Sequence, residues 1–166
     1  MNLDNLFKNF CKKNNLEINS YQLSIINELK SYYDLNFNKS ILNKIFSKKN
    51  SKPAFYLYGG VGVGKTMILN FFFDLLEEKK LRQHFNEFIL SFHNFVHERK
   101  EKNEENVINQ FVKNLKSQTK LIYFDEFQVT NIVDAMILGK LFEQIFKEDI
   151  KIILTSNIKI SELYKD

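Results

Sequence analysis

At positions 59–66 the chain reads Gly59-Gly60-Val61-Gly62-Val63-Gly64-Lys65-Thr66. The apolar run at 54–58 predicts a strand before this stretch, and apolar spacing predicts a helix after it, over about residues 66–80. The stretch fits the pattern G-x-x-x-x-G-K-[ST], in which backbone N–H groups surround phosphates, the lysine reaches the terminal phosphates and the last hydroxyl ligates magnesium. A turn that matches by chance is the alternative, and the flanking strand and helix argue against it. The stretch therefore predicts a nucleoside triphosphate site with Mg²⁺ at Thr66.

Composition sets broad limits on the class of protein. A chain of 166 residues with 44% apolar residues predicts one globular domain with a buried core. The net charge of +4 comes from lysines mixed with acids, which is weak support for nucleic-acid binding, and the cluster of Lys79, Lys80 and Arg82 is expected at a solvated helix end. Cys11 is the only cysteine, which excludes an internal disulfide. No run is apolar enough to span a bilayer and residues 1–13 lack a signal core, so the expected location is the cytoplasm.

The pattern divides the chain into a helical lead-in, residues 1–52, and a core, residues 53–166. The lead-in has apolar residues at helical spacing, and it either docks on the core or serves as an arm that binds a partner. In the core, predicted strands alternate with predicted helices, which indicates an α/β fold with a parallel sheet covered on both faces. The predicted strands are 54–58, 84–90, 121–124 and 150–155, and the predicted helices are about 66–80, 92–116 with a break near 100–105, and 133–147.

A second candidate part of the site follows the third predicted strand, which leads into Asp125 and Glu126. Ligands of such sheets bind beyond the carboxyl ends of the strands, so this pair is expected to face the phosphate loop. Asp125 is then expected to hold Mg²⁺ together with Thr66, and Glu126 to act as the general base for the attacking water. A strand that ends in two acids is usually only a solvated exit, and the upstream phosphate loop favours the catalytic interpretation.

The fourth predicted strand is followed by Asn157. Its neutral amide suits contact with both the terminal phosphate and the attacking water, so it is a candidate sensor of the phosphate. Ordinary turn chemistry of Ser156 and Asn157 is the alternative. As the third strand-end feature around one expected pocket, Asn157 is predicted to act with Lys65 and Glu126.

Three stretches resemble one family of the AAA+ ATPases, the ZapE-type or AFG-like ATPases. They are 56–67, 84–89 and 124–138, of which the last is the most specific and contains Asp125-Glu126-Phe127-Gln128-Val129-Thr130 and Asp134-Ala135-Met136-Ile137-Leu138. The resemblance covers about residues 53–166 and implies an AAA+ core that binds and hydrolyses ATP. It implies magnesium at Thr66 and Asp125, catalysis by Glu126, Lys65 and Asn157, and ATP contacts along Gly59, Gly60, Val61, Gly62, Val63, Gly64, Lys65, Thr66 and Met67. Gln22 of the lead-in resembles a glutamine that helps to seat the nucleotide, and an exposed helix residue is the alternative.

The resemblance also implies partners and a place in the cell. Bacterial members associate with the division-ring protein FtsZ and mitochondrial members act in protein quality control, so the expected partner is FtsZ or another division protein. Homo-oligomers are implied by the resemblance alone, as is a peripheral position at the inner membrane or division site.

This sequence departs from the family pattern at several positions. Relatives usually have arginine at the position of Val63, histidine at Asn86 and aspartate at Asn131, and none of these changes removes a phosphate or metal ligand. Relatives also continue past the position of Asp166 with a strand, an arginine finger and a helical lid, which predicts an incomplete core here.

Two functions from different classes therefore stay open. The first is an ATPase that acts on a protein partner. The second is a nucleotide-gated binding module with little turnover. Turnover would be low because an arginine finger, which this core is predicted to lack, contributes about 10³ to 10⁵ in rate. A phosphate-loop kinase is disfavoured, since Glu126 and Asn157 suit activation of water.

Overall fold

The computed structural model describes residues 3–37, 52–99, 104–129 and 132–163. Its strands are β1 (Ala54–Tyr58), β2 (Lys80–His84), β3 (Leu121–Asp125) and β4 (Lys151–Ser156). Its helices are α1 (Leu3–Lys13), α2 (Ser20–Asn36), α3 (Lys65–Asp74), α4 (Phe85–Arg99), α5 (Glu104–Gln118) and α6 (Ile132–Lys147), followed by a 3-10 turn at Ile160–Glu162. The alternation of strands and helices confirms the predicted α/β class.

The four strands form one sheet in the order β1-β4-β3-β2. Strand β3 pairs in parallel with β2 and with β4, and Tyr123 lies opposite Arg82 on one side and Ile153 on the other. Both β3 and β4 are buried along their whole length, which explains their nearly continuous apolar sequences. Because the pairing is parallel, the carboxyl ends of β3 and β4 emerge at the same edge of the sheet.

The chain forms two compact units, of which the first comprises Met1–Phe55 and Gly62–Leu76. Among the described residues of this unit, three helices build the core. Residues Leu3, Phe7 and Cys11 are buried at intervals of four along α1, which gives this helix its apolar stripe. The ring of Phe7 lies 5.1 Å from that of Phe71 in α3, so the helix that follows the phosphate loop packs against the N-terminal helices.

The second unit comprises Tyr56–Val61 and Glu77–Asp166. Phenylalanines fill the space between β3 and the helices on one face of the sheet. The ring of Phe124 lies 5.7 Å from Phe85 and 4.6 Å from Phe88, both in α4, and 6.3 Å from Phe142 in α6. Helix α5 joins this cluster through Phe111, whose ring lies 5.7 Å from Phe88.

The prediction of a second strand at 84–90 is wrong. Strand β2 occupies Lys80–His84, and helix α4 begins at Phe85. Phe85, Phe88 and Phe92 follow one another at helical spacing and are buried, whereas Leu90 is 60% exposed. A strand would have placed Phe88 and Leu90 on the same face, so the burial pattern agrees only with a helix.

The helix predicted to reach about residue 80 is shorter than expected. Helix α3 ends at Asp74, and the N–H groups of Leu75 and Leu76 bond to the carbonyl oxygens of Phe72 and Phe73. The chain then enters the sheet, where the Lys79 carbonyl oxygen accepts the N–H of Lys120 at 2.7 Å. The polar residues before β2 therefore lead into the sheet and form hydrogen bonds with it, and they do not extend the helix.

Several predictions fall outside the described residues. They concern the second half of the lead-in at 38–50, most of the predicted helix break near 100–105, Thr130 and Asn131 of the family-like stretch, and positions 164–166. The boundary between lead-in and core after residue 52 stays a prediction. Among the helices that the structure describes, none combines the length and apolar content that a membrane span requires.

Candidate functional site

The phosphate loop connects β1 to α3, and its second half lies in the first unit. Gly62 and Gly64 have φ angles of +83° and +87°, a left-handed conformation that glycine adopts readily and other residues rarely do. Gly64 is the N-cap of α3 and supplies no side-chain hydrogen bond to it. Lys65 and Thr66 begin the helix, so the motif residues stand at a helix N-terminus, where anions are favoured.

Gln22 lies beside the last glycine of this loop, within the same unit. Helix α2 begins with a capping box, in which the Gln22 Oε1 accepts the backbone N–H of Asn19 at 3.4 Å. The opposite end of the amide, Nε2, is 3.1 Å from the point that a Cβ atom on Gly64 would occupy. The structure thus places Gln22 against the phosphate loop, and its contact with a nucleotide stays a prediction.

In the second unit, hydrogen bonds join the carboxyl ends of three strands. The N–H of Gly59, the first residue of the phosphate loop, donates to the carbonyl oxygen of Ser156 at 3.2 Å. The N–H of Phe127 donates to the carbonyl oxygen of Thr155 at 2.7 Å, and the Ser156 hydroxyl donates to the carbonyl oxygen of Phe127, also at 2.7 Å. The start of the loop, the residues after β3 and the end of β4 therefore lie together at one edge.

Asp125 is a buried carboxylate with a partner on each oxygen. The Thr155 hydroxyl donates to Oδ1 at 2.7 Å, and Nη2 of Arg82 donates to Oδ2 at 3.0 Å. Burial alone would raise the pKa of Asp125, but the hydrogen bonds from Thr155 and Arg82 and the charge of Arg82 outweigh it and lower the pKa below its ordinary value. Asp125 is therefore held in the charged form.

Tyr123 completes the surroundings of Asp125 on the same face of β3. The guanidinium carbon of Arg82 lies 5.2 Å from the centre of the Tyr123 ring, within the range of a cation–π contact. Burial and the neighbouring Asp125 charge raise the pKa of Tyr123 to about 12, so its phenol keeps its proton. A phenol that stays neutral adds no competing negative charge beside Asp125.

Glu126 and Asn157 follow β3 and β4 directly and are both exposed. Glu126 has a φ of +56°, an uncommon conformation for a residue other than glycine. Its backbone N–H donates to the Thr155 hydroxyl at 3.2 Å. Thr155 thereby fixes both carboxylate residues, through the side chain of Asp125 and through the backbone of Glu126.

The candidate magnesium ligands have suitable chemistry. Magnesium prefers hard oxygen ligands, which a carboxylate and a hydroxyl supply. Asp125 is charged and fixed in the second unit, and Thr66 lies in the first turn of α3 in the first unit. Each residue therefore has an oxygen that suits magnesium, and their joint role as its ligands stays a prediction.

Sequence reasoning missed the roles of Arg82 and Thr155. Arg82 was expected with Lys79 and Lys80 at a solvated helix end, and this is wrong, because Arg82 lies in β2 and pairs with Asp125. The misplaced second strand hid the relation, since only the true register puts Arg82 opposite Tyr123. For Thr155, the available signal was its position as a hydroxyl residue at the end of an otherwise apolar strand, which could have indicated a polar contact with Asp125.

The sequence is similar to those of known proteins. It matches the family model described as AFG1-like ATPase over residues 9–166. Lactation elevated protein 1 homolog B of Danio rerio is 39% identical over 130 residues, which are 72% of this chain and 26% of that relative. Cell division protein ZapE of Escherichia coli strain K12 is 38% identical over 123 residues, which are 72% of this chain and 32% of that relative. The chain thus spans about a quarter to a third of the length of these relatives.

Solved structures show the same fold at low sequence identity. The crystal structure of DnaI matches with a TM-score of 0.55 and 16% identity, and the match covers 90% of this chain and 73% of that one. The predicted AAA+ type of the parallel sheet and the resemblance to ZapE-type or AFG-like ATPases are both confirmed. The family match includes the phosphate loop, Asp125 and Asn157. The chain therefore belongs to the AFG1-like ATPase family of AAA+ P-loop ATPases.

Proposed function

We propose that this chain binds ATP with Mg²⁺ at the phosphate loop and hydrolyses it to ADP and phosphate. The observation that carries the proposal is the hydrogen-bonded group of strand ends, in which Gly59 bonds to the end of β4 and Thr155 holds Asp125 and Glu126. The start of a phosphate loop and two carboxylate residues at one sheet edge are what hydrolysis of a triphosphate requires.

Each residue has a distinct role in the proposed reaction. Lys65 and the backbone of Gly59–Met67 bind the phosphates, and Asp125 and Thr66 hold the ion. Glu126 accepts a proton from the attacking water, for which an exposed carboxylate directly after the fixed Asp125 is well placed. Asn157 contacts the terminal phosphate and that water. Gln22 supports the loop at Gly64.

Work on a protein partner is the proposed use of ATP. One relative bears the name cell division protein ZapE, which supports a division protein, FtsZ among them, as the partner of this chain. We place the reaction in the cytoplasm or at the inner membrane of a dividing cell, and we propose that copies of the chain associate.

A nucleotide-gated binding module is the second candidate. It is favoured by one observation, the ion pair in which the Arg82 charge neutralises that of Asp125. In that case ATP would change the affinity for the partner without rapid hydrolysis.

Steady-state hydrolysis and ATP binding, measured on the same preparations, test the proposal. We expect Glu126→Gln to bind ATP like the wild type and to lose hydrolysis by at least about a hundredfold, since general-base catalysis contributes 10² to 10⁴. The matched control is Glu77→Gln, an exposed glutamate that precedes β2 and should leave the rate unchanged. ATP binding with turnover that ignores Glu126 would favour the binding module, and no ATP binding would refute both candidates.

A further inference from the structure

Arg82 stands against the residue that is proposed to hold magnesium. Strand β2 carries it opposite Tyr123, so Arg82, Tyr123 and Asp125 lie on one face of the sheet. Its Nη2 atom is 3.0 Å from Oδ2 of Asp125, and its charge lies over the Tyr123 ring. A cation of the chain itself thus occupies one oxygen of the candidate metal ligand.

The two partners differ in freedom to move. The Asp125 side chain is 6% exposed, and its other oxygen accepts the hydrogen bond from Thr155, so burial and this bond hold the carboxylate in position. The Arg82 side chain is 40% exposed, lies on a strand at the edge of the sheet and contacts the carboxylate through one nitrogen. Of the two, Arg82 is the group that can move away without disturbing the core.

We propose that Arg82 is an internal counter-ion, which neutralises Asp125 in the nucleotide-free chain and leaves Oδ2 when magnesium nucleotide binds. This inference rests on the proposed function, because it takes Asp125 as the magnesium ligand. A buried carboxylate without a cation is costly, so Arg82 stabilises Asp125 whenever no magnesium is bound. A guanidinium and a divalent ion beside the same carboxylate repel each other, so the loaded site does not retain it.

The proposal predicts how magnesium affinity depends on Arg82. In the wild type, magnesium has to displace the guanidinium from Asp125, and this displacement reduces the net free energy of magnesium binding. Glutamine at this position removes the competing guanidinium, so magnesium should strengthen nucleotide binding more than it does in the wild type. Nucleotide binding without magnesium should stay unchanged, because the ion pair of Arg82 with Asp125 competes only with the metal ion.

Binding of a fluorescent ATP analogue, titrated with excess Mg²⁺ and again with EDTA, measures this effect in the intact chain. We define the magnesium ratio as the dissociation constant in EDTA divided by that in excess Mg²⁺. This ratio should be about tenfold larger in Arg82→Gln than in the wild type, equivalent to about 1.4 kcal/mol. Lys80→Gln is the matched control, since it removes one charge from the same strand and the same sheet face. Arg82→Lys retains the charge and should keep the wild-type ratio within about twofold.

A second readout needs no substitution at the site. Arg82 and Arg99 are the two arginines of the chain, so ¹⁵N spectra of arginine side chains contain two Nε signals, and Arg99→Lys assigns them. We expect the Arg82 signal to shift when ATP is added with Mg²⁺ and to stay in place with ATP and EDTA. This measurement decides the question even where Arg82→Gln does not fold.

The outcomes separate the inference from the proposed function. An unchanged magnesium ratio in Arg82→Gln, or an Arg82 signal that ignores magnesium, overturns the counter-ion role while Lys65-dependent nucleotide binding leaves the proposed function intact. Absence of nucleotide binding in the wild type, or binding that Lys65→Ala does not weaken, overturns the proposed function and the inference with it.

Discussion

Asp125 shows how a single buried carboxylate is kept charged at the end of an apolar strand. Removal from water favours the neutral acid, and the hydroxyl of Thr155 and the guanidinium of Arg82 reverse that preference. Neither partner is adjacent in sequence, and both come from neighbouring strands. The charge of the site is therefore a property of the strand register and not of the Asp-Glu sequence alone.

The lowered pKa of Asp125 predicts a stability difference that depends on pH. Because the pKa is lower in the folded chain than the ordinary value of about 3.9, the charged form contributes stability fully above that value and loses it as the pH falls through the folded pKa. Asp125→Asn cannot titrate. In urea unfolding from neutral pH down to acid, we expect the wild type to lose stability relative to Asp125→Asn only below about pH 5. A constant difference over that range would contradict the prediction.

The phosphate-loop glycines provide a second prediction at this scale. Gly62→Ala and Gly64→Ala each place a side chain at positive φ, which costs about 1 to 2 kcal/mol. At residue 62 a new Cβ meets nothing within 4 Å, whereas at residue 64 it meets Gln22 at 3.1 Å. Gly64→Ala should therefore lower the free energy of unfolding more than Gly62→Ala does.

Two further variants isolate the contact from the backbone cost. Gly60→Ala is the control, since a Cβ there has free space and no positive φ is involved, so its unfolding free energy should stay within about 0.5 kcal/mol of the wild type. Relative to Gln22→Ala alone, adding Gly64→Ala should cost no more in urea unfolding than Gly62→Ala costs the wild type, because the loss of the Gln22 capping contact is common to both Gln22 variants. An excess that persists without the Gln22 side chain would show that the contact is not its cause.

At the scale of elements, the sequence predicted best where local and tertiary preferences agree. Strands β1, β3 and β4 and helix α6 were located to within one or two residues, since their apolar runs are bounded by polar residues or by the phosphate loop. Strand β2 was misplaced because Lys80–His84 is polar and lies at the sheet edge, where half-exposed residues carry little apolar signal. The aromatic run that follows suggested a strand and instead packs as a helix.

The contrast between locally encoded elements and the polar edge strand also limits what could be predicted of the site. The phosphate loop, Asp125, Glu126 and Asn157 follow from motif spacing and strand ends, and their roles stay predictions. Arg82 depends on the register between β2 and β3, and a register is set by pairing with distant residues. An error of four residues in one edge strand thus hid the counter-ion of the site.

Two alanine substitutions of apolar residues can distinguish helix α4 from the strand predicted at 84–90. Phe88 is fully buried beside Phe124, and Leu90 is 60% exposed. In urea unfolding we expect Phe88→Ala to lower the free energy of unfolding by about 3 to 5 kcal/mol and Leu90→Ala by less than about 0.5 kcal/mol. Comparable losses at both positions would mean that they share one face, as they would in a strand.

At the scale of the whole molecule, the chain covers only part of the proteins that it resembles. It spans 26% of the Danio rerio relative and 32% of Escherichia coli ZapE, and it contains the phosphate loop and both acidic residues of the candidate site. Nucleotide binding at the candidate site can therefore be measured on this chain by itself. Thermal unfolding is the suitable whole-molecule measurement, because it needs no partner and no turnover.

Ligand-dependent thermal stability gives the last prediction. A ligand that binds the folded chain at a hundred times its dissociation constant adds about 2.7 kcal/mol, which for a chain of this size raises Tm by about 5 to 10 °C. We expect that rise with ATP and Mg²⁺ in the wild type, and its loss in Lys65→Ala, since the lysine at the start of α3 is proposed to bind the terminal phosphates. Lys113→Ala, which removes an exposed lysine from α5, should keep the full rise. Equal stabilisation of Lys65→Ala and wild type would place the ATP site away from the phosphate loop.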